Sequence, residues 1–283
     1  MNATVHNTQL VDYEGGHIAP RGSPRTESIS RRTFFRAGVA GAIGLTAIGG
    51  ATFLVSTSEP DDKCQNGSVI APPLGGEWMV MNPPGHPEFA DDFIGMKAGH
   101  SLPYPMSSIP RHAVNRIPIS RTFGWGRPVY APIDGTVLAV SNYEPDNEEL
   151  NVFRDTLDTL VSPPDVMEGH IQAAAGNHVV IEGKEGVAFL AHLRRGSIVV
   201  AEGMEVGAGQ LLGEVGNSGA SVFPHLHLQL MSEWTTDLRK VEKMLIPYRF
   251  SQYERRISNR VRRHSWESVH QCVPAQRTRF RVR

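Results

Sequence analysis

The segment His225–Leu230 alternates polar and apolar side chains, and this alternation constrains the fold more than any other stretch of the chain. Successive side chains of a β-strand point to opposite faces, so the pattern predicts a strand with one polar and one apolar face. The polar face holds His225, His227 and Gln229, and the apolar face holds Leu226, Leu228 and Leu230. Two neighbouring imidazoles are typical of a metal ligand beside an acid–base group, because zinc binds histidine nitrogen and keeps one position for water in catalytic sites. A surface strand that carries two histidines without a metal is the alternative.

Short apolar runs separated by Gly, Pro and Asn turn sequences predict a mainly β domain. The predicted strands cover 77–81, 89–94, 128–130, 136–140, 178–181, 187–192, 210–215 and 226–231. A weak internal echo between 129–137 and 206–215 predicts two related hairpin units. Because most of these runs alternate, we expect one face of the sheet to form the core and the other to form the floor of a groove.

Two insertions interrupt the strand pattern. Residues 94–122 lack a clear periodicity, which predicts a loop with a short helix. In residues 141–176, apolar side chains recur at roughly helical spacing from Leu150 to Val161, which predicts a helix that packs as a lid or groove wall. Long loops beside a groove often control access of the substrate.

The histidine strand is the last of four ordered motifs. These are Gly-Arg-Pro-Val-Tyr-Ala-Pro-Ile-Asp-Gly-Thr-Val at 126–137, a strand that ends in His192-Leu193, Gly-Asn-Ser-Gly at 216–219, and Pro-His-Leu-His at 224–227. In this order they resemble the lysostaphin-like (LytM-type) zinc metalloendopeptidases, which cut bacterial peptidoglycan. The resemblance implies a mainly β fold, an antiparallel β-sheet groove of the lysostaphin-like, duplicated hybrid motif type, with loop and short-helix insertions. It also implies a Zn²⁺ cofactor and a peptidoglycan peptide as substrate.

The resemblance implies a role for each of three downstream histidines. His227, the second histidine of His-x-His, is expected to bind zinc. His192 and His225 are expected to be the catalytic pair that orients the water and moves its proton. His178 is interpreted as structural.

The other two zinc ligands of the family are a histidine and an aspartate, usually four positions apart. Phe-Ala-Asp-Asp-Phe at 89–93 resembles the family's ligand strand and makes Asp92 the predicted ligand, with Asp91 as the fallback. His86 lies six positions before Asp92, and Glu88 occupies the usual histidine position. We predict His86, because imidazole is the more frequent ligand of the two in such a set. His100 and His112 are less favoured, because each lies in irregular sequence without a carboxylate at ligand spacing.

The N-terminal part of the chain predicts a targeting segment. Residues 1–28 are polar and are expected to be disordered. Arg31 and Arg32 precede an uncharged run at 37–58, so 29–58 resembles a twin-arginine export signal, either cleaved or retained as a membrane anchor. Residues 59–75 are a predicted linker to the peptidase domain at 76–250. We therefore expect the twin-arginine export machinery as a partner and the cell envelope, at the periplasm or the outer face of the cytoplasmic membrane, as the location.

The last segment, 251–283, is predicted to be an arginine-rich tail. Nine arginines against two glutamates give it a net charge of +7, which leaves −8 for the rest of a chain whose total is −1. Such a tail is expected to be solvated, or to be attracted to an anionic membrane or wall polymer; nucleic acid is the least favoured partner. Cys64 and Cys272 flank the domain, and the sequence leaves open whether they pair.

These observations predict an exported zinc endopeptidase that hydrolyses peptide bonds of peptidoglycan. A first alternative is a catalytically degenerate domain that regulates another wall hydrolase, supported by the unusual spacing of His86 and Asp92. A sugar-phosphotransfer carrier also uses paired histidines, but its phosphate donor is cytoplasmic, which conflicts with export. A non-catalytic envelope-binding module would act through the basic tail.

Overall fold

The computed structural model describes residues 62–64, 66–82, 86–105, 117–150, 171–257 and 265–283. The predicted tail at 1–28, the predicted signal at 29–58, His112 and most of the predicted helix in 141–176 lie outside these residues. Among the residues that are described, no helix is both long and apolar enough to cross a bilayer.

The described part of the chain contains fifteen short strands. In chain order they are β1 (Ser68–Ile70), β2 (Gly76–Val80), β3 (Ala90–Gly95), β4 (Ile117–Pro118), β5 (Pro128–Tyr130), β6 (Gly135–Ser141), β7 (Glu149–Leu150), β8 (Asn177–Gly183), β9 (Gly186–Leu193), β10 (Glu205–Val206), β11 (Leu211–Glu214), β12 (His225–Met231), β13 (Tyr248–Arg256), β14 (Trp266–Cys272) and β15 (Arg279–Val282). The helices are α1 (Ile171–Ala175), α2 (Leu238–Met244) and a 3₁₀ turn at Ile119–Arg121. The predicted mainly β fold is confirmed.

Eleven of the strands form one large sheet. Its order is β1-β13-β15-β2-β3-β12-β9-β8-β6-β10, with β14 paired to β13, and β5 with β11 and β4 with β7 form two small sheets. Every pairing is antiparallel except that of β1 with β13. Leu150, which the sequence pattern placed at the start of a helix, instead lies in β7 opposite Ile117.

The core covers one face of the large sheet along its whole width and part of the other. Leu226, Leu228 and Leu230 of β12 are fully buried in the main core, as their alternation predicts. On the opposite face, Phe189 of β9 packs with Met231 and with residues of α1 and α2 in a second cluster. The predicted groove floor is therefore limited to the end of β12 at His225 and His227, which are half-buried, whereas Gln229 is covered.

The expectation of a solvated tail at 251–283 is wrong. β13 crosses the predicted boundary at residue 250, and β15 pairs with β2 in the middle of the large sheet. Tyr253 and Phe280 are buried in the main core, and in β15 Phe280 lies between Arg279 and Arg281. Four of the arginines described in 251–283 form ion pairs, namely Arg255 with Asp62 and Glu267, Arg279 with Glu77, and Arg281 and Arg283 with Glu254. Two of these partners, Asp62 and Glu77, lie outside the segment and offset part of its net positive charge.

A disulfide joins Cys64 to Cys272 and closes a loop across 208 positions of sequence. Lys63, next to Cys64, exchanges backbone hydrogen bonds with Val273, so the bridge fastens the first described segment to the end of β14. Disulfides persist in oxidising compartments, which agrees with the expected export.

Replacing both cysteines, Cys64→Ser with Cys272→Ser, is expected to lower the free energy of unfolding by about 2–4 kcal/mol, because a long loop in the unfolded chain loses its constraint. Urea unfolding of the oxidised wild type and the double variant measures the difference. The wild type with its bridge reduced should unfold like the double variant. Equal midpoints for all three proteins would contradict a stabilising bridge.

Candidate metal centre

Strand pairing brings the predicted site residues together. β12 lies between β3 and β9, and His227 is paired with Asp92 on one side and with Ala191 on the other. Directly opposite residues of antiparallel strands project from the same face, so the side chains of His227 and Asp92 meet. Nδ1 of His227 lies 2.9 Å from Oδ1 of Asp92. His192 follows Ala191 near the end of β9, and its ring centroid lies 6.0 Å from that of His227.

His86 reaches the site from the segment just before β3. Its Nε2 atom lies 3.3 Å from Oδ1 of Asp92, and its ring centroid lies 5.2 Å from that of His227. The backbone at Pro87 and Glu88 thus brings His86 to Asp92 although the two are six positions apart in sequence. Glu88, at the family's usual histidine position, is exposed to solvent.

The geometry of these three side chains fits a zinc ion. His86, Asp92 and His227 each offer a ligand atom, and the three atoms lie within 4.8 Å of one another. Zinc bond lengths of about 2.0–2.2 Å place neighbouring tetrahedral ligand atoms roughly 3.3 Å apart, close to the measured contacts of Asp92. Two imidazoles and one carboxylate also form a donor set typical of catalytic zinc, with a fourth position for water. Within the described ranges, no other group of three such residues meets this distance criterion.

The alternative ligands lie elsewhere. Asp91 points to the opposite face of β3, where its carboxylate accepts hydrogen bonds from Tyr248 at 2.7 Å and Asn82 at 3.0 Å. His100 packs against Phe123 with ring centroids 4.8 Å apart. His178 is buried, with Nδ1 2.8 Å from the carbonyl of Gly176 and its ring against Phe189. None of the three belongs to the group around Asp92.

His192 and His225 lie side by side next to the ligand group. Their ring centroids are 4.6 Å apart, and Nε2 of His225 lies 3.5 Å from Oδ1 of Asp92. Nδ1 of His192 contacts the carbonyl of Ser218 at 2.9 Å, and Nδ1 of His225 contacts that of Phe223 at 2.6 Å. Because a carbonyl only accepts hydrogen bonds, each Nδ1 carries a hydrogen, and Nε2 is the nitrogen of each ring that can take up or give up a proton.

His192 has a left-handed backbone with φ of 62°. Residues other than glycine rarely adopt this conformation, and such strain is concentrated at functional sites. Here it lies one residue before the end of β9, and its carbonyl accepts a hydrogen bond from the N–H of Gly216 at 3.0 Å. The strained residue thus carries one of the two predicted catalytic side chains.

Burial and charge determine the protonation of the cluster. Burial, and then the charges of His225 and His227, hold the pKa of His192 well below its ordinary value, so this ring is neutral near pH 7. Burial acts to raise the pKa of Asp92, but the charges of His225 and His86 outweigh it and hold this pKa well below its usual range. For His86, burial acts to lower the pKa and the Asp92 carboxylate outweighs that effect and raises it. The site therefore combines an ionised carboxylate with a neutral proton acceptor.

Two residues that the sequence did not indicate support the loop behind these histidines. The side-chain amide of Asn147 donates to the carbonyls of Asn217, Gly219 and Ser221 at 2.9–3.2 Å. Asp146 accepts from the N–H of Asn217 at 2.7 Å. Their partners are about 70 positions away in sequence, so no local pattern could have predicted these contacts.

Comparison with known proteins gives a family match for part of the chain. Residues 122–238 match the sequence model of peptidase family M23. The predicted resemblance to lysostaphin-like peptidases is thereby confirmed. The M23 match includes His192, His225 and His227 but begins after His86 and Asp92, so those two ligands depend on the geometry above.

Solved structures similar to this chain include several M23 peptidases. A chain described as a peptidase M23 from Pseudomonas aeruginosa is 18% identical over 66% of this chain and 53% of its own, with a TM-score of 0.32. The catalytic domain of the antimicrobial peptidase lysostaphin from Staphylococcus simulans is 20% identical over 64% of this chain and 84% of its own, with a TM-score of 0.30. A zinc containing peptidase from Vibrio cholerae is 21% identical over 65% of this chain and 40% of its own, with a TM-score of 0.29.

The chain therefore spans about half the length of the first of these proteins. All three TM-scores are below 0.5, so the resemblance to family M23 rests on the sequence match. No curated protein sequence matches the chain significantly.

Proposed function

We propose that this M23 chain is an exported zinc metalloendopeptidase that hydrolyses peptide bonds of peptidoglycan. The observation that carries the proposal is the convergence of His86, Asp92 and His227 within ligand distance, with His192 and His225 beside them. The resemblance to lysostaphin-like peptidases supports the substrate class.

In this proposal, His86, Asp92 and His227 would hold the zinc ion. Zinc in such a site supplies a Lewis acid for the substrate carbonyl and lowers the pKa of water toward about 7. The ionised Asp92 carboxylate provides the negative charge that a divalent cation requires, and its contacts with both imidazoles fix their positions before a metal arrives.

His192 and His225 would move the proton. His192, whose ring is neutral near pH 7, presents an unprotonated Nε2, which would accept a proton from water and return it to the leaving amine. A ring that has accepted the proton is a cation beside the reacting carbonyl and stabilises the negative charge that develops there. The low pKa of His192 keeps its ring available as an acceptor near neutral pH.

Export through the twin-arginine machinery and action in the cell envelope complete the proposal. The Cys64–Cys272 bridge supports an oxidising compartment. The second candidate function is a degenerate M23 domain that regulates another wall hydrolase, which the unusual spacing of His86 and Asp92 favours. The two functions differ in metal content and in products.

The purified chain is expected to contain one zinc ion and to release peptide products from isolated sacculi. Zinc quantification and mass spectrometry of the products measure both. Chelation should stop product release and added zinc should restore it. His225→Ala should retain zinc and release no products, whereas the matched control His270→Ala, at an exposed position on β14, should behave as wild type. A wild-type protein without zinc and without products would favour the regulator.

A further inference from the structure

Gln229 contacts the one nitrogen of His227 that faces away from the ligand group. It lies two residues further along the same face of β12 and is only 3% exposed. Its Oε1 atom lies 3.0 Å from Nε2 of His227, while Nδ1 of His227 lies 2.9 Å from Asp92. The imidazole is thus held between a carboxylate and a buried amide.

Met231 determines which way the amide of Gln229 points. Nε2 of Gln229 lies 3.1 Å from Sδ of Met231, the next residue on this face. A thioether sulfur accepts hydrogen bonds weakly and donates none, so the amide NH₂ faces the sulfur and the amide oxygen faces His227. Met231 is fully buried in the cluster under α1 and α2, which keeps its sulfur in place.

The orientation of the amide has a consequence for His227. An amide oxygen only accepts, so Nε2 of His227 carries a hydrogen, and Nδ1 is the nitrogen left to donate to the Asp92 carboxylate or, once its proton has left, to bind a metal ion. Nδ1 is the atom that faces Asp92. Ligating histidines commonly donate their other ring N–H in this way, which fixes the tautomer and the ring orientation.

We propose that Gln229 is a positioning residue for the metal centre, which holds His227 in the Nε2–H tautomer and thereby presents Nδ1 to zinc. The inference deepens the proposed function and depends on it. The alternative is that the amide of Gln229 only fills space under α1 and α2.

Two variants of similar size separate these possibilities. Gln229→Met removes the acceptor and keeps an unbranched side chain, and it is expected to weaken zinc affinity by about 10–100-fold. Gln229→Glu keeps an acceptor oxygen and is expected to retain wild-type affinity. Competition with a chromophoric chelator measures zinc affinity without any peptidase assay. Wild-type affinity in Gln229→Met would overturn the proposal.

The tautomer of His227 provides a measurement that needs no variant. In ¹⁵N NMR spectra of the full wild-type chain loaded with zinc, the ring of His227 is expected to carry a hydrogen on Nε2 and none on Nδ1. A hydrogen on Nδ1 and none on Nε2 in the zinc-loaded protein would overturn the inference, even if Gln229→Met failed to fold. A wild-type chain that binds no zinc would instead refute the proposed function.

Discussion

His227→Ala is expected to abolish both stoichiometric zinc binding and the cleavage of sacculi. The change removes one of three ligands and leaves Asp92 with a single imidazole, His86, from the proposed set. Zinc affinity should fall by more than the roughly 10–100-fold that follows the loss of a residue that only supports a ligand. Metal analysis after dialysis and product release from sacculi measure the two losses.

The control for this experiment is a histidine far from the site. His270→Ala removes an exposed imidazole on β14 and should leave zinc content and cleavage unchanged. Thermal unfolding in the presence of chelator should show that the metal-free His227→Ala protein is folded, because His227 is half-buried on an open strand end. A His227→Ala protein that retains zinc and cleaves sacculi would remove the proposed metal centre.

The strands between residues 76 and 231 and part of the site were predictable from the sequence for a specific physical reason. Alternation along β12 determines which side chains share a face, so His225 and His227 could be placed together without any structure. The arginine-rich end could not be predicted in the same way. There charged residues dominate the composition, and β13 around Tyr253 lacks the regular alternation that would reveal its buried face.

The upstream ligand shows the limit of spacing arguments. In the sequence, both His86 and Glu88 are candidates for the upstream zinc ligand. Only the conformation of the segment before β3 decides between them. The structure turns His86 toward Asp92 and leaves Glu88 in solvent. The role of Asn147 could not be predicted from the sequence, because it depends on the contact between two loops that are distant in sequence. Gln229 was visible on the polar face, but its role requires the contact with Met231.

Substituting His192 is expected to separate zinc binding from catalysis. His192 is not part of the ligand group, and its Nδ1 is engaged by the carbonyl of Ser218. Its removal should therefore leave zinc content at the wild-type level. Loss of a group that moves a proton at Nε2 should lower the rate of cleavage by about 10²–10⁴-fold.

The backbone at His192 determines which substitution is the cleaner test. With φ of 62°, alanine at this position would carry backbone strain, whereas asparagine tolerates the left-handed conformation. His192→Asn therefore keeps the turn at the end of β9 and removes the proton acceptor, and His192→Ala serves as the comparison. If the lost function is proton transfer, both variants lose cleavage to the same extent and only His192→Ala is less stable. Loss of zinc from His192→Asn would make His192 a ligand, and full cleavage by it would leave His225 as the only proton carrier of the site.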